Sequence, residues 1–230
     1  LTLPESVLGR YIANLLESLR DDGFSQCYAL TPSGVDLGLG TSRIPLPGRF
    51  SKVEVQAIPA DTERGKVILI PIGHTEQHGY HLPLSVDTII IDAIAQGTAT
   101  GIPDQVYTLP AVPYGVSTHR QAFAGTLNAG GRAFEDFWVA LIDALASRRF
   151  DRFYLISGHG GNMSFLVNVV KYAGERHRRI FCATSFLSLS GPRGVEALEK
   201  HRLSPHGGMG HACALETALV LHLRPDLVHM

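Results

Sequence analysis

KVILIPIGHTEQHGYHLPLSVD, residues 66–87, is the stretch on which the fold turns. From Val67, VILIPIG is a short and nearly continuous apolar run, the pattern of a strand buried on both faces. A loop rich in His and Pro follows. TIIIDAIAQG (88–97) then reads as a helix with Asp87 in its N-cap region. The rest of the chain repeats this alternation. VYTLPAVPYG (106–115) predicts a second strand, and RAFEDFWVALIDALASRRF (132–150) a helix with Phe134, Phe137, Leu141 and Leu145 on one face. FDRFYLISG (150–158) predicts another buried strand. A glycine turn and a helix from about Asn162 to Arg176 follow, with Phe165, Val169 and Tyr172 aligned. RIFCATSFLSL (179–189) is a further strand, and the last clear helix lies within GHACALETALVLHL (210–223). Strands alternating with helices of this length predict an α/β fold with a mostly parallel sheet covered on both faces.

Upstream, PESVLGRYIANLLESL (4–19) places Val7, Leu8, Tyr11, Ile12, Leu15 and Leu16 at helical spacing, with Pro4 near the start. From Thr31 to Arg49 the chain is rich in Gly, Pro and Ser, the composition of an arm or a loop over the core. The expected organisation is therefore a helix and arm (1–50) packed on one catalytic domain (51–230).

With 20 basic against 21 acidic residues, the formal charge of -1 provides no long-range field to attract nucleic acid or an anionic membrane. Cys27, Cys182 and Cys213 are odd in number and far apart, which fits reduced thiols in a cytoplasm. No run approaches the roughly 20 apolar residues of a membrane span, and the N-terminus lacks the basic-then-apolar order of a signal peptide. A cytoplasmic protein acting on a small molecule is expected.

Three polar clusters carry the chemistry. In an extended backbone residues two apart point the same way, so Glu76 and His78 can face one small volume, to which Asp87 returns at the start of the next helix. Carboxylates with neutral imidazole suit Zn²⁺, Mn²⁺ or Fe²⁺, where an all-oxygen set would suggest Mg²⁺ or Ca²⁺. The second cluster, Ser157 to Asn162 (SGHGGN), also follows a buried strand. Ligands in open parallel sheets bind beyond the carboxyl ends of the strands, so His159 becomes the next ligand, and Gly160 and Gly161 leave room for a substrate beside it. The third cluster, Gly210 to Thr217, places His211 just before an apolar helix and Glu216 in its first turns. His211 reads as a general acid/base and Glu216 as a ligand or a carboxylate supporting one. A single loop histidine is most often structural, and His74 and His81 are read as holding loops or the substrate. Three such clusters, each at the end of a regular element, point to a metal centre.

Together these segments resemble the creatininase (creatinine amidohydrolase) family, in TEQHGYHLPLSVDT (75–88), YGVS at Tyr114, FAGT (123–126), GHGGN (158–162) and HACALET (211–217). The resemblance implies a three-layer sandwich, a homo-oligomer that is commonly a hexamer, and two divalent metal ions, with Zn²⁺ ahead of Mn²⁺ or Fe²⁺. Glu76 and His78 would serve different metals, Asp87 would bridge them, and His159 would complete one sphere. Creatininase itself takes a Glu ligand two residues after the motif histidine, where this chain has Gly161, and Glu216 is the candidate for the missing oxygen. Ser117-Thr-His-Arg120 stands where many relatives resemble S-x-E-H. Ser117, His119 and Arg120 are thus assigned to substrate, and the added basicity admits an anionic or phosphorylated one.

The expected reaction is hydrolysis of a non-peptide C–N bond, in a cyclic amide or a formamide. The metals would lower the pKa of water from ~15.7 towards ~7 and polarise the carbonyl. His211 would give a proton to the leaving nitrogen, and Asn162 with the amides of the glycine turn would hold the developing oxyanion. One alternative keeps the metals but opens a lactone or a cyclic polyol ketone. Another is a catalytically silent protein that holds a phosphate or nucleotide on the glycine turn.

Overall fold

A computed structural model describes residues 5–21, 59–187, 192–201 and 210–230. The Gly/Pro-rich arm, the expected domain boundary near residue 50 and Cys27 lie outside them. Helix α1 spans Glu5–Asp21. The core then runs β1 (Val67–Ile72), α2 (Val86–Gly101), β2 (Val106–Thr108), α3 (Gly131–Ser147), β3 (Arg152–Ser157), α4 (Met163–Arg176) and β4 (Phe181–Phe186), followed by α5 (Pro192–His201) and α6 (Ala214–Leu223). Among the described residues no helix is long and apolar enough to cross a membrane.

The sheet is parallel throughout, in the order β2-β1-β3-β4. Parallel neighbours need a crossover, and α2, α3 and α4 supply one between each successive pair of strands. The unbroken apolar run of β1 has a direct cause. Ile68, Ile70 and Ile72 enter one core with Phe134, Trp138, Leu166 and Val169, while Leu69 enters a second with Ile90, Ile91, Ile156 and Val220. Helices α1, α3 and α4 thus cover one face, and α2 and α6 the other, giving three layers as expected. Both faces of each central strand are dry, so alternation along it is between two cores and not between core and water.

Three readings change. The predicted strand over 106–115 is regular only to Thr108. Beyond it Leu109 still donates to Leu69 O (2.9 Å) and Val112 to Pro71 O (3.2 Å), but Pro110 and Pro113 have no N–H to extend the ladder. Asp87 lies inside the first turn of α2, whose N-cap is Ser85. Helix α5 has no counterpart in the sequence reading.

The strand order also locates the site. From β1 the chain moves to one side of the sheet and from β3 to the other, so the switch in direction falls between these two neighbours. Ile72 pairs with Ser157 at their carboxyl ends, and Gly158 N donates to Ile72 O (2.8 Å). The loops that leave there carry the first two polar clusters.

Candidate metal centre

Close backbone packing brings α2 against the ends of β1 and β3. A Cβ on Gly73 would lie 2.3 Å from Thr88 Oγ1, and one on Gly158 would lie 2.2 Å from the carbonyl oxygen of Asp87. Without side chains at these two positions the start of α2 seats directly on both strand ends, and Asp87 is carried into the gap between them. The Thr88 hydroxyl donates to His74 O (3.0 Å), fixing the loop after β1 to the same helix.

Glu76, His78, Asp87, His159 and Glu216 converge there at 1%, 0%, 2%, 4% and 8% exposure. Hydrogen bonds decide what each ring offers. His78 Nδ1 faces the carbonyl of Glu76 at 3.0 Å, so it carries the proton, and Nε2 turns a lone pair towards Asp87 Oδ1 at 3.3 Å and Glu216 Oε1 at 3.9 Å. His159 Nε2 donates to the carbonyl of Val116 (3.1 Å), which leaves Nδ1 facing Glu76 Oε1 (3.1 Å) and Asp87 Oδ2 (3.2 Å). His211 Nε2 donates to the carbonyl of Gln77, and its Nδ1 lies 3.1 Å from Glu76 Oε1. Lone pairs meet lone pairs on every side. Such an arrangement is stable only around protons or cations, and its borderline nitrogen and oxygen donors suit Zn²⁺, Mn²⁺ or Fe²⁺. Asp87 turns Oδ1 to the His78–Glu216 side and Oδ2 to the Glu76–His159 side.

Protons bound to this cluster are held unusually. Burial disfavours a charged His159, but hydrogen bonds and charges from Asp87 and Glu76 outweigh it and lift the ring to about 9. Burial likewise opposes ionisation of Glu76 and Asp87, yet both fall to about 2, chiefly through hydrogen bonds from His159, with His78 aiding Asp87 and Ser117 aiding Glu76. Burial raises Glu216. It also lowers His211, with the neighbouring His78 adding to the effect.

The third cluster is placed by a sharp turn. Ala212 adopts a left-handed backbone (φ 52), unusual for a residue with a side chain, and the turn aims both His211 and α6 at the centre. Glu216, at the third position of α6, accepts from Cys213 N through Oε2 (3.3 Å) and presents Oε1 to His78.

The expectations for Asn162, Ser117 and Gly161 change. Asn162 is fully buried and its carboxamide is occupied, accepting from Val116 N (2.9 Å) and donating to Gly73 O and Ser157 Oγ (3.2 Å each). It braces three loops and has no group left for an oxyanion. Ser117 is also fully buried and donates to Glu76 Oε2 (2.7 Å), so it orients a ligand instead of meeting substrate. A Cβ on Gly161 would lie 2.4 Å from His159 Nε2 and 2.5 Å from Val116 O, so this glycine makes room for the bond that fixes the His159 ring. Gly160 faces open space. His119 is exposed, with its ring parallel to that of His159 at 6.0 Å. His81 Nε2 contacts Thr217 Oγ1 (3.0 Å), tying the loop to α6.

His74 plays a larger part than its loop position suggested. It is fully buried, 4.4 Å ring to ring from His159, and the backbone N–H of Gly115 donates to its Nδ1 (2.9 Å). Only a nitrogen without a proton accepts that bond. The neutral ring therefore carries its proton on Nε2, which is buried without a hydrogen-bond partner among the described residues, and the ring stands with Glu76 and His159 in a group close enough to share a cation. The signal for it was present: 74, 76 and 78 share one alternation.

Known proteins resemble this chain in sequence and in fold. A family model described as creatinine amidohydrolase matches residues 51–230. The mycofactocin precursor peptide peptidase of Mycobacterium ulcerans is 31% identical over 195 residues, covering 81% of this chain and 68% of its own. A 3-dehydro-scyllo-inosose hydrolase of Thermotoga maritima is 25% identical over 78% of this chain and 57% of its own length. A solved structure titled creatininase Mn superposes with a TM-score of 0.64 at 25% identity, covering 74% of this chain and 69% of the other.

Proposed function

The chain belongs to the creatininase family of hydrolases, and from that premise we propose that it hydrolyses a C–N amide bond with two divalent cations held by Glu76, His78, Asp87, His159 and Glu216. The observation that supports this most is the acceptor-only convergence around Asp87. Glu76, His159 and Asp87 Oδ2 would hold one ion, and His78, Glu216 and Asp87 Oδ1 the other. Bound there, the ions supply a nucleophile from water at neutral pH and polarise the carbonyl under attack.

The chain's own groups do the rest. His211, anchored through Nε2 on the carbonyl of Gln77, presents Nδ1 to the centre and is kept neutral by burial, so it can take a proton and pass it to the leaving nitrogen. The exposed turn at Gly160 leaves room for substrate, with backbone amides of Gly160 and Gly161 as donors to the developing oxyanion. Ser117 and Asn162 hold these parts in register.

A cyclic amide or formamide is the first reading of the bond. A peptide bond is the second, favoured by the relative named as a peptide peptidase. Opening of a cyclic polyol ketone has support from the relative named as an inosose hydrolase. We retain a homo-oligomer, hexameric by family resemblance, as part of the proposal. Elemental analysis should find about two Zn²⁺ or Mn²⁺ per loaded chain. A turnover screen across lactams, formamides, short peptides and oxidised cyclitols then selects the bond. His159→Ala should lose both metal and turnover; full activity in that variant, or less than about half an ion per chain after loading, rejects the assignment.

A further inference from the structure

Resting on the hydrolase reading above, we propose that Arg120, with His119, forms a subsite for an oxyanion, so that the substrate carries a carboxylate or phosphate beside the amide to be cleaved. The segment bearing them is tied to the centre. Val116 binds Asn162 through its N–H (2.9 Å) and His159 through its carbonyl (3.1 Å), and Ser117 holds Glu76. The next residues must then lie across the rim, where the His119 ring stands parallel to His159. A turn closed by Phe123 N donating to Arg120 O (3.0 Å) follows.

Arg120 is half-buried in this turn, and its Nε is sealed from solvent without an acceptor. No carboxylate among the described residues pairs with it. An ionised N–H withdrawn from water without a partner is unfavourable, so a missing partner is implied, and the guanidinium fork matches a carboxylate or phosphate. The balance of charge points the same way. With two divalent cations bound as proposed, three carboxylates and the guanidinium would leave the region net positive, which a substrate anion would offset.

The test uses zinc-loaded protein and titration calorimetry with N-acetylglycine, its neutral analogue N-acetylglycinamide, and inorganic phosphate. Wild type should bind N-acetylglycine about tenfold tighter than the amide. Arg120→Gln should erase that preference and Arg120→Lys keep part of it, with zinc content unchanged in both. A larger loss for phosphate than for N-acetylglycine in Arg120→Gln identifies phosphate as the group, and the reverse a carboxylate. Equal binding of acid and amide by wild type, or no detectable binding of either anion, overturns the subsite. So does a lowered melting temperature in Arg120→Gln with the preference intact, because Arg120 would then serve a partner within the chain. An Arg120-dependent preference without hydrolysis of any amide would keep the subsite and sink the hydrolase reading.

Discussion

Removing the cations with a chelator and raising the pH from 6.5 to 9 should destabilise the protein, whereas the metal-loaded form should gain. The cause is His159. Its folded-state pKa of about 9 exceeds the ordinary 6.5 because Asp87 and Glu76 favour the charged ring over burial's opposition. A raised histidine contributes stability that is fully present below pH 6.5 and lost as pH rises through about 9. With the ring only 4% exposed, a shift of this size corresponds to about 3 kcal/mol, or roughly 6–12 °C in melting temperature for a chain of this length. Glu76 and Asp87 act in another window: their pKa values of about 2 stabilise above pH 4 and are lost only as pH falls through 2. His78, also raised, adds to the alkaline loss. A cation requires the ring without its proton, so metal affinity should rise about tenfold per pH unit below 9 for each proton displaced. Calorimetric melting of stripped and loaded protein between pH 6.5 and 9.5 reads both slopes, with His159→Gln as control. A stripped protein whose melting temperature stays flat or rises across that range, indistinguishable from His159→Gln, would refute the reasoning.

Further outcomes follow from single contacts. Gly161→Ala places a methyl group against His159 Nε2 and the Val116 carbonyl, so zinc affinity measured by competition should fall about 10- to 100-fold through misorientation of that ring. In ¹⁵N spectra His74 should show a protonated Nε2 and an unprotonated Nδ1, both unchanged on zinc loading, while His159 Nδ1 and His78 Nε2 shift. A ligand-sized shift at His74 would make it a ligand instead. Trp138→Ala, fully buried between α3 and the sheet, should cost about 3–5 kcal/mol in denaturant unfolding without altering the number of zinc ions bound at saturation.

Legibility from sequence depended on whether a property lies in one segment or between segments. The apolar run of β1 declares a strand wet on neither face, and the two cores that divide its residues follow from that alone. The short β2 was half legible: Pro110 and Pro113 mark where the ladder must fail, but not that Leu109 and Val112 would still bond to β1. The same division holds at the centre. Glu76, His78, Asp87 and His159 stand out because strand ends facing a switch in sheet direction collect polar groups, and their residue types suit a metal. The roles of Ser117, Asn162 and His74 do not stand out, since each is defined by which backbone N–H, carbonyl or carboxylate of a distant loop lies within 3.2 Å. Glu216 shows both sides. Its position in the first turn of a helix could be read, but its approach to His78 depends on the left-handed turn at Ala212, which residue type argues against. A strained turn retained beside a cluster of lone pairs is what a centre assembled from remote segments requires. Ala212→Gly should therefore relieve the strain and, by letting His211 and α6 sample other directions, weaken metal binding on the His78–Glu216 side, as zinc competition would show.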